Sequence, residues 1–239
     1  MVISVKKTMH TRFLALVLSA VLLLPALAGC SKKTGAEKDL AYPIDGEPVC
    51  LDPQIAADET AKLVTGNCFE GLVRLDESGA IVPGAAQRWD VSADGRTYTF
   101  HLREGMKWHI ADSDELEELL GKGKTIDTTL NAEDFAFGLK RALLPETGMA
   151  SAKALYAIEN AQAVHRGTAR SDQLGVRVVN ASTLEIRLAR ADSAFLYALT
   201  LPMSMPCDEA FFPGDVRPLW AGAEVSNLQW ALLSFKMEP

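Results

Sequence analysis

FEGLVRLDESGAIVPGAAQRWDVSADGRTYTFHLREGMKW, residues 69–108, is written in turn chemistry and alternation. Leu72-Val73-Arg74-Leu75 reads as a strand, Asp76-Glu77-Ser78-Gly79 turns it, and Ile81-Val82 returns before Pro83. Trp89 and Val91 open a second hairpin around Ser92-Ala93-Asp94-Gly95. Its return strand puts Tyr98, Phe100 and Leu102 on one face and Thr97, Thr99, His101 and Arg103 on the other. A period of two over that length predicts a half-buried strand.

Working outward, a third hairpin follows the same grammar: Val176 and Val178, a turn at Asn180-Ala181-Ser182, then Leu184, Ile186 and Leu188. Helices lie between. Ala56 to Phe69 predicts one, with Asp58 as N-cap and Leu63 and Val64 inward. Asn131 predicts a cap with Asp134 as its capping-box partner, ahead of an apolar stripe of Phe135, Leu139 and Leu143 that Pro145 ends. Ser151 to Arg166 predicts another helix, with Leu155, Ile158 and Val164 inside and Gly167 at its end. Pro43, Pro48 and Pro53 make 42–53 extended chain or an edge strand. Hairpins dominate a mixture of strands and helices, so the class is α+β.

The N-terminus is an export signal. Lys6, Lys7 and Arg12 precede an apolar run from Phe13 to Leu24, and Leu27-Ala28-Gly29-Cys30 follows. The run falls short of the roughly 20 residues a membrane-spanning helix needs. Residues 1–29 therefore read as a lipoprotein signal peptide, because Leu-Ala-Gly-Cys resembles the bacterial lipobox and makes Cys30 the lipidated residue. Residues 30–41, centred on Ser31-Lys32-Lys33-Thr34, read as a polar tether. The expected location is the outer face of the cytoplasmic membrane or the periplasm.

In the full 239 residues, 48% are hydrophobic and the net charge is −7. A sizeable core can form, and an acidic surface argues against nucleic acid as a partner. With Cys30 assigned to lipid, Cys50, Cys68 and Cys207 remain. An odd count in an exported protein predicts a free thiol or a missing partner, and spacing does not pair them.

The search for chemistry selects no catalytic residue, no metal-ligand set and no cofactor site. Gly121-Lys122-Gly123-Lys124-Thr125 ends like a phosphate-binding loop, but the position of its first glycine is Glu118 and an acidic stretch replaces the strand. His101, His109 and His165 are scattered. Trp89, Phe100 and Trp108 suit a core, or a ligand cleft at a sheet edge. The many carboxylates leave a secreted hydrolase with an acid pair open as an alternative.

The ordered blocks resemble a family, the peptide-type (family 5) extracellular solute-binding proteins of bacterial ABC importers. "LDPQIA" at 51–56, the 69–108 stretch and "NAEDFAFGLKRALLPETG" at 131–148 are similar to its successive signatures. "AIENAQAVHRG" at 157–167, "LGVRVVNASTLEIRLAR" at 174–190 and "PMSMPCDEAFF" at 202–212 follow in the family's order. The resemblance implies a two-lobed periplasmic-binding-protein-like fold. Residues 42–70 and 191–212 would belong to an incomplete first lobe, and 71–190 to a hairpin-rich subdomain inserted in it. It implies a non-enzyme that binds peptides and delivers them to an ABC-type permease, although the family also carries nickel chelates, sugars and opines. The chain departs from the family pattern by inserting Ile110 to Thr129 after Trp108. Asp58, Glu59 and Thr60 are the candidate ligand contacts, and the same residues suit helix capping.

Residues 213–239 break this grammar. Back-translated and read one nucleotide forward, Trp220-Ala221 and Trp230-Ala231 each force a glycine, and Met237-Glu238 forces a tryptophan. The shifted codons permit Gly-Arg-Tyr-Gly-Leu and Asn-Gly-Pro-Phe at the family's spacing. The expectation is an out-of-frame tail after a frameshift near Pro213, and a product impaired in binding. Reading the gene across that junction checks it.

Overall fold

The expected hairpins are present in the computed structural model, which describes residues 43–44, 46–48, 50–108 and 127–211. The signal segment, Cys30, the tether, the Gly121–Thr125 loop, most of the 110–129 insertion and the 213–239 tail lie outside the described residues. The chain divides into units 1–43 and 44–239. Of the first, only the exposed Pro43 is described, and the account below concerns the second.

Strands β1 (Val73–Leu75) and β2 (Ile81–Pro83) pair antiparallel, with Val73 opposite Pro83. The Asp76 carboxylate closes their turn by accepting the Ser78 backbone N–H at 2.8 Å, and Gly79 supplies the left-handed backbone at φ 81°. Next come β3 (Ala86–Val91) and β4 (Thr97–Leu102), then β5 (Val176–Asn180) and β6 (Thr183–Arg187). They form one antiparallel sheet in the order β3-β4-β6-β5. Tyr98, Phe100 and Leu102 all point into the core, as their alternation requires. In register, Tyr98 faces Ile186 and Phe100 faces Leu184 across β4 and β6, so large apolar pairs hold the middle of the sheet.

Two helices flank this framework. Helix α1 is Glu59–Cys68, and helix α2 is Ala132–Ala142. α2 begins on the expected reciprocal cap: Asn131 Oδ1 accepts the Glu133 N–H at 2.7 Å, and the Asn131 N–H donates to Asp134 Oδ2 at 2.8 Å. Its stripe of Phe135, Leu139 and Leu143 is fully buried and packs on β5 and β6. Helix α3 (Ala161–His165) and the single turn α4 (Phe195–Ala198) are the other α-helices among the described residues.

Two expectations are corrected. α1 starts at Glu59 rather than Ala56, and its inward residues are Ala61 and Thr65; Leu63 is 39% exposed and Val64 only half-buried. Leu63 lies two positions from each of the residues that pack, which is about 200° around a helix. The single helix expected over Ser151 to Arg166 is broken. It becomes a 3-10 segment, Ala150–Leu155, and the short α3, separated by turns. The sheet takes the middle of the segment. Ile158 forms a bridge with Leu188, the Glu159 N–H donates to the Arg187 carbonyl at 2.9 Å, and Asn160 turns away at φ 63°. Leu155, Ile158 and Val164 are nevertheless buried as expected.

Candidate ligand-binding cleft

The segment at 51–56 is held by a buried polar knot. Asp52 caps its own turn, accepting the Gln54 N–H on Oδ1 at 3.0 Å, while the Asp52 carbonyl accepts the Ala56 N–H at 2.8 Å. The Asp52 carboxylate then takes both ends of the Arg141 guanidinium, with Nη1 on Oδ1 at 2.8 Å and Nη2 on Oδ2. Arg141 Nη1 also donates to Gln54 Oε1 at 2.8 Å, and Gln54 Nε2 donates to the Met205 carbonyl at 3.0 Å. Asp52, Gln54 and Arg141 are each no more than 2% exposed. A bidentate pair braced by a further hydrogen bond to Gln54 is the arrangement in which burying two opposite charges is tolerable.

Arg141 was not among the residues selected from sequence. The available signal is on α2: Asp134, Gly138 and Arg141 recur at helical spacing beside the apolar stripe and are all buried. They form a second packed face, directed at the segment 203–207. A Cβ on Gly138 would sit 2.5 Å from the Met205 carbonyl oxygen, so glycine is what allows that approach. The Cys207 N–H donates to the Asp134 carbonyl at 3.0 Å. Burial pushes the Asp134 carboxyl up to about 7, against the Asn131 N–H and the Trp108 indole, with the charges of Asp208 and Glu133 adding to the rise. Burial also raises the Cys207 thiol well above its ordinary value.

This knot underlies an open cleft of about 590 Å³. One wall is Pro53, Ala56 and Ala57; a second is Met149 and Ala154; a third is Leu201, Pro202 and Met203. Gln54, Lys62 and Ser151 add the polar groups. An apolar hollow with few polar groups suits a small organic ligand. A second cleft of similar size lies beyond Lys62 and Pro202, against Phe69, Glu70 and Arg74. There the Glu70 Oε2 is buried without a hydrogen-bond partner, and burial raises its pKa against the opposing charges of Arg103 and Arg74.

The structure places Asp58 as the α1 cap, with Oδ1 accepting the Ala61 N–H at 2.8 Å. Glu59 makes an exposed ion pair with Lys62 at 2.7 Å, and Thr60 is half-buried. Ala57 and Lys62, on either side of these residues, line the cleft, whereas Asp58, Glu59 and Thr60 themselves do not. Cys50, Cys68 and Cys207 are all free thiols. His101 Nε2 contacts Asp90 Oδ2 at 2.8 Å on an exposed part of the sheet, where Arg88 shares the same carboxylate oxygen. Among the described residues no group of His, Cys, Asp and Glu could hold a metal ion, and no helix is long and apolar enough to cross a membrane.

Comparison with known proteins gives a consistent result. The model for the bacterial extracellular solute-binding proteins, family 5 Middle, matches residues 80–222. The periplasmic murein peptide-binding protein MppA of Escherichia coli is 36% identical over 213 residues, which is 88% of this chain and 35% of that protein. A dipeptide-binding protein of Lactococcus lactis is 31% identical over 183 residues, 77% of this chain and 30% of its own. A probable deoxycholate-binding periplasmic protein of E. coli is 32% identical over 203 residues, 83% of this chain and 35% of its own. Among solved structures, the peptide-binding pheromone receptor PrgZ superposes with a TM-score of 0.63 at 30% identity, over 80% of this chain and 34% of that one. The chain spans about a third of the length of the curated relatives it matches.

Proposed function

Because this chain belongs to the bacterial extracellular solute-binding proteins of family 5, matched over residues 80–222, we propose that it binds peptides for an ABC-type importer without catalysing a reaction on them. The observation that carries the proposal is the cleft of about 590 Å³, apolar on three walls and edged by the start of α1. It suits a short peptide, whose side chains need apolar surface and whose polar ends need hydrogen-bonding groups. The relatives named for dipeptide, oligopeptide and murein peptide binding support the same ligand class.

In this reading residues 42–70 and 191–212 belong to the first lobe of a two-lobed binder, and 71–190 to the subdomain inserted in it. Asp58, Glu59 and Thr60, which lie in sequence between the lining residues Ala57 and Lys62, are the further ligand contacts. Residues 1–29 direct export, and Cys30 carries the lipid that holds residues 30–41 at the membrane. The permease reads closure of the lobes on the ligand.

Titration calorimetry of the purified chain with tri-alanine, followed by mass spectrometry of the recovered peptide, tests the central claim. Weak one-to-one binding with the peptide returned intact is expected, in line with the impaired binding that the reading of residues 213–239 predicts. Cleaved peptide, or binding of deoxycholate with none of tri-alanine, would overturn it. A fatty-acid probe should label the wild type in bacterial cells and leave Cys30→Ala unlabelled; equal labelling of both removes the anchor assignment.

A further inference from the structure

Arg141 hydrogen-bonds Gln54, which lines the cleft, without lining the cleft itself. Two of the cleft's walls come from distant parts of the chain, Pro53–Ala57 before α1 and Leu201–Met203 near the end of the described residues. No strand ladder joins them. What joins them is the Gln54 amide, which is buried and fully oriented: its oxygen accepts Arg141 Nη1 at 2.8 Å and its nitrogen donates to the Met205 carbonyl at 3.0 Å. An amide can be read either way round, and here the guanidinium decides, because an Arg N–H donates and never accepts. With Oε1 held by Arg141, Nε2 is the end left to face the 201–205 segment. The same guanidinium grips Asp52 at both oxygens, and Asp52 shapes the turn that starts the first wall. Arg141 itself rises from the buried face of α2, one turn after Gly138, whose missing side chain lets the Met205 carbonyl approach.

We propose that Arg141 is a positioning residue for the cleft: from beneath, it aligns Asp52 and Gln54 so that the 53–57 and 201–205 segments stand at the separation a ligand side chain requires. That it serves ligand binding rests on the peptide-binding reading above; that it holds the two segments together does not. A lysine at this position reaches either Asp52 or Gln54 as a point charge and cannot reproduce the fork. Loss of the fork frees the Gln54 amide to turn, and the walls separate.

Amide hydrogen exchange of the full chain decides the matter without any ligand. The reporters are Ile55 and Ala56, whose N–H groups bond to the Asp52 carbonyl, and Ser204 and Met205, bonded to Leu201 and Pro202. Phe100 and Leu184, in the middle of the sheet, monitor overall stability. Arg141→Lys should speed exchange at the four wall amides at least about tenfold more than at the sheet amides. Gln54→Met, which leaves the Arg141–Asp52 pair in place, should loosen Ser204 and Met205 in the same way. Equal acceleration of walls and sheet would show that Arg141 acts only as a general stabiliser, and unchanged walls would show no role; either overturns the proposal. A titration with tri-alanine separates the two readings. Failure of the wild type to bind counts against the peptide function alone, while weaker binding by Arg141→Lys, roughly tenfold in Kd, joins the positioning role to it.

Discussion

At the scale of single residues, the energetics concentrate on two buried ionisable residues of α2, Arg141 and Asp134. Arg141 and Asp52 satisfy each other, and removing one leaves the other as an uncompensated buried ion. Arg141→Met should therefore cost about 3–5 kcal/mol in denaturant unfolding, several times the cost of breaking any of the exposed pairs, such as Glu59–Lys62. Asp134 behaves in the opposite sense. Its carboxyl is pushed up to about 7 by burial, whereas in the unfolded chain it ionises near 3.9. Between those values the folded protein keeps a proton that the unfolded chain has lost. Its contribution to stability is thus fully present below about pH 4, falls as the pH rises towards 7, and is flat beyond. Asp134→Asn keeps an oxygen for the Asn131 N–H and has nothing to ionise. The variant should gain on the wild type by roughly 1–3 kcal/mol between pH 4.5 and 7.5, measured as the difference between two urea curves at each pH. A constant difference would mean that Asp134 is ionised throughout.

At the scale of elements, α2 organises the molecule because it packs on two faces. One is the apolar stripe against β5 and β6; the other is the Asp134–Gly138–Arg141 face against the 203–207 segment. Intrinsic propensity favours alanine over glycine inside a helix by up to about 1 kcal/mol. Here that gain is reversed, since a Cβ at 138 would stand 2.5 Å from the Met205 carbonyl oxygen, and backbone must move. Gly138→Ala should be net destabilising by about 1–3 kcal/mol in the same unfolding assay, with helix content by circular dichroism unchanged. A stabilised variant would show that the 203–207 segment yields easily. The interrupted helix at 151–166 follows the same logic of packing over propensity: Ile158 and Glu159 satisfy the sheet beside Leu188 and Arg187. Backbone groups bonded there are unavailable to a continuous helix.

At the scale of the whole molecule, the cleft is built where three separate segments converge over the buried knot, and ligand binding should stabilise all of them together. If tri-alanine binds only the folded state, a hundredfold excess over its Kd adds about 2.7 kcal/mol. For a chain of this size that corresponds to a rise in Tm of roughly 5–10 °C, which differential scanning fluorimetry can follow. No shift at saturating peptide would argue that the bound form is no more stable than the free one. Arg141→Lys should show a smaller shift at the same peptide concentration, because its walls are no longer held ready.

Much of this architecture was legible in the order of residues. Three hairpins, the Asn131 cap, the Phe135–Leu139–Leu143 stripe and the inward face of β4 are local facts, set by turn chemistry and by periods of 2.0 and 3.6. The α+β class and the family follow from them, since each element announces itself within a dozen residues. What tertiary structure alone decided is who meets whom. Asp52 and Arg141 are 89 positions apart and Gln54 and Met205 are 151 apart, and no periodicity connects them. The inward face of α1 was likewise chosen by close contact, through Ala61 and Thr65, over the more hydrophobic Leu63. Local sequence states the shape a segment prefers; a buried charge or a small-residue contact is favourable only against a particular partner, and that partner is supplied by the fold.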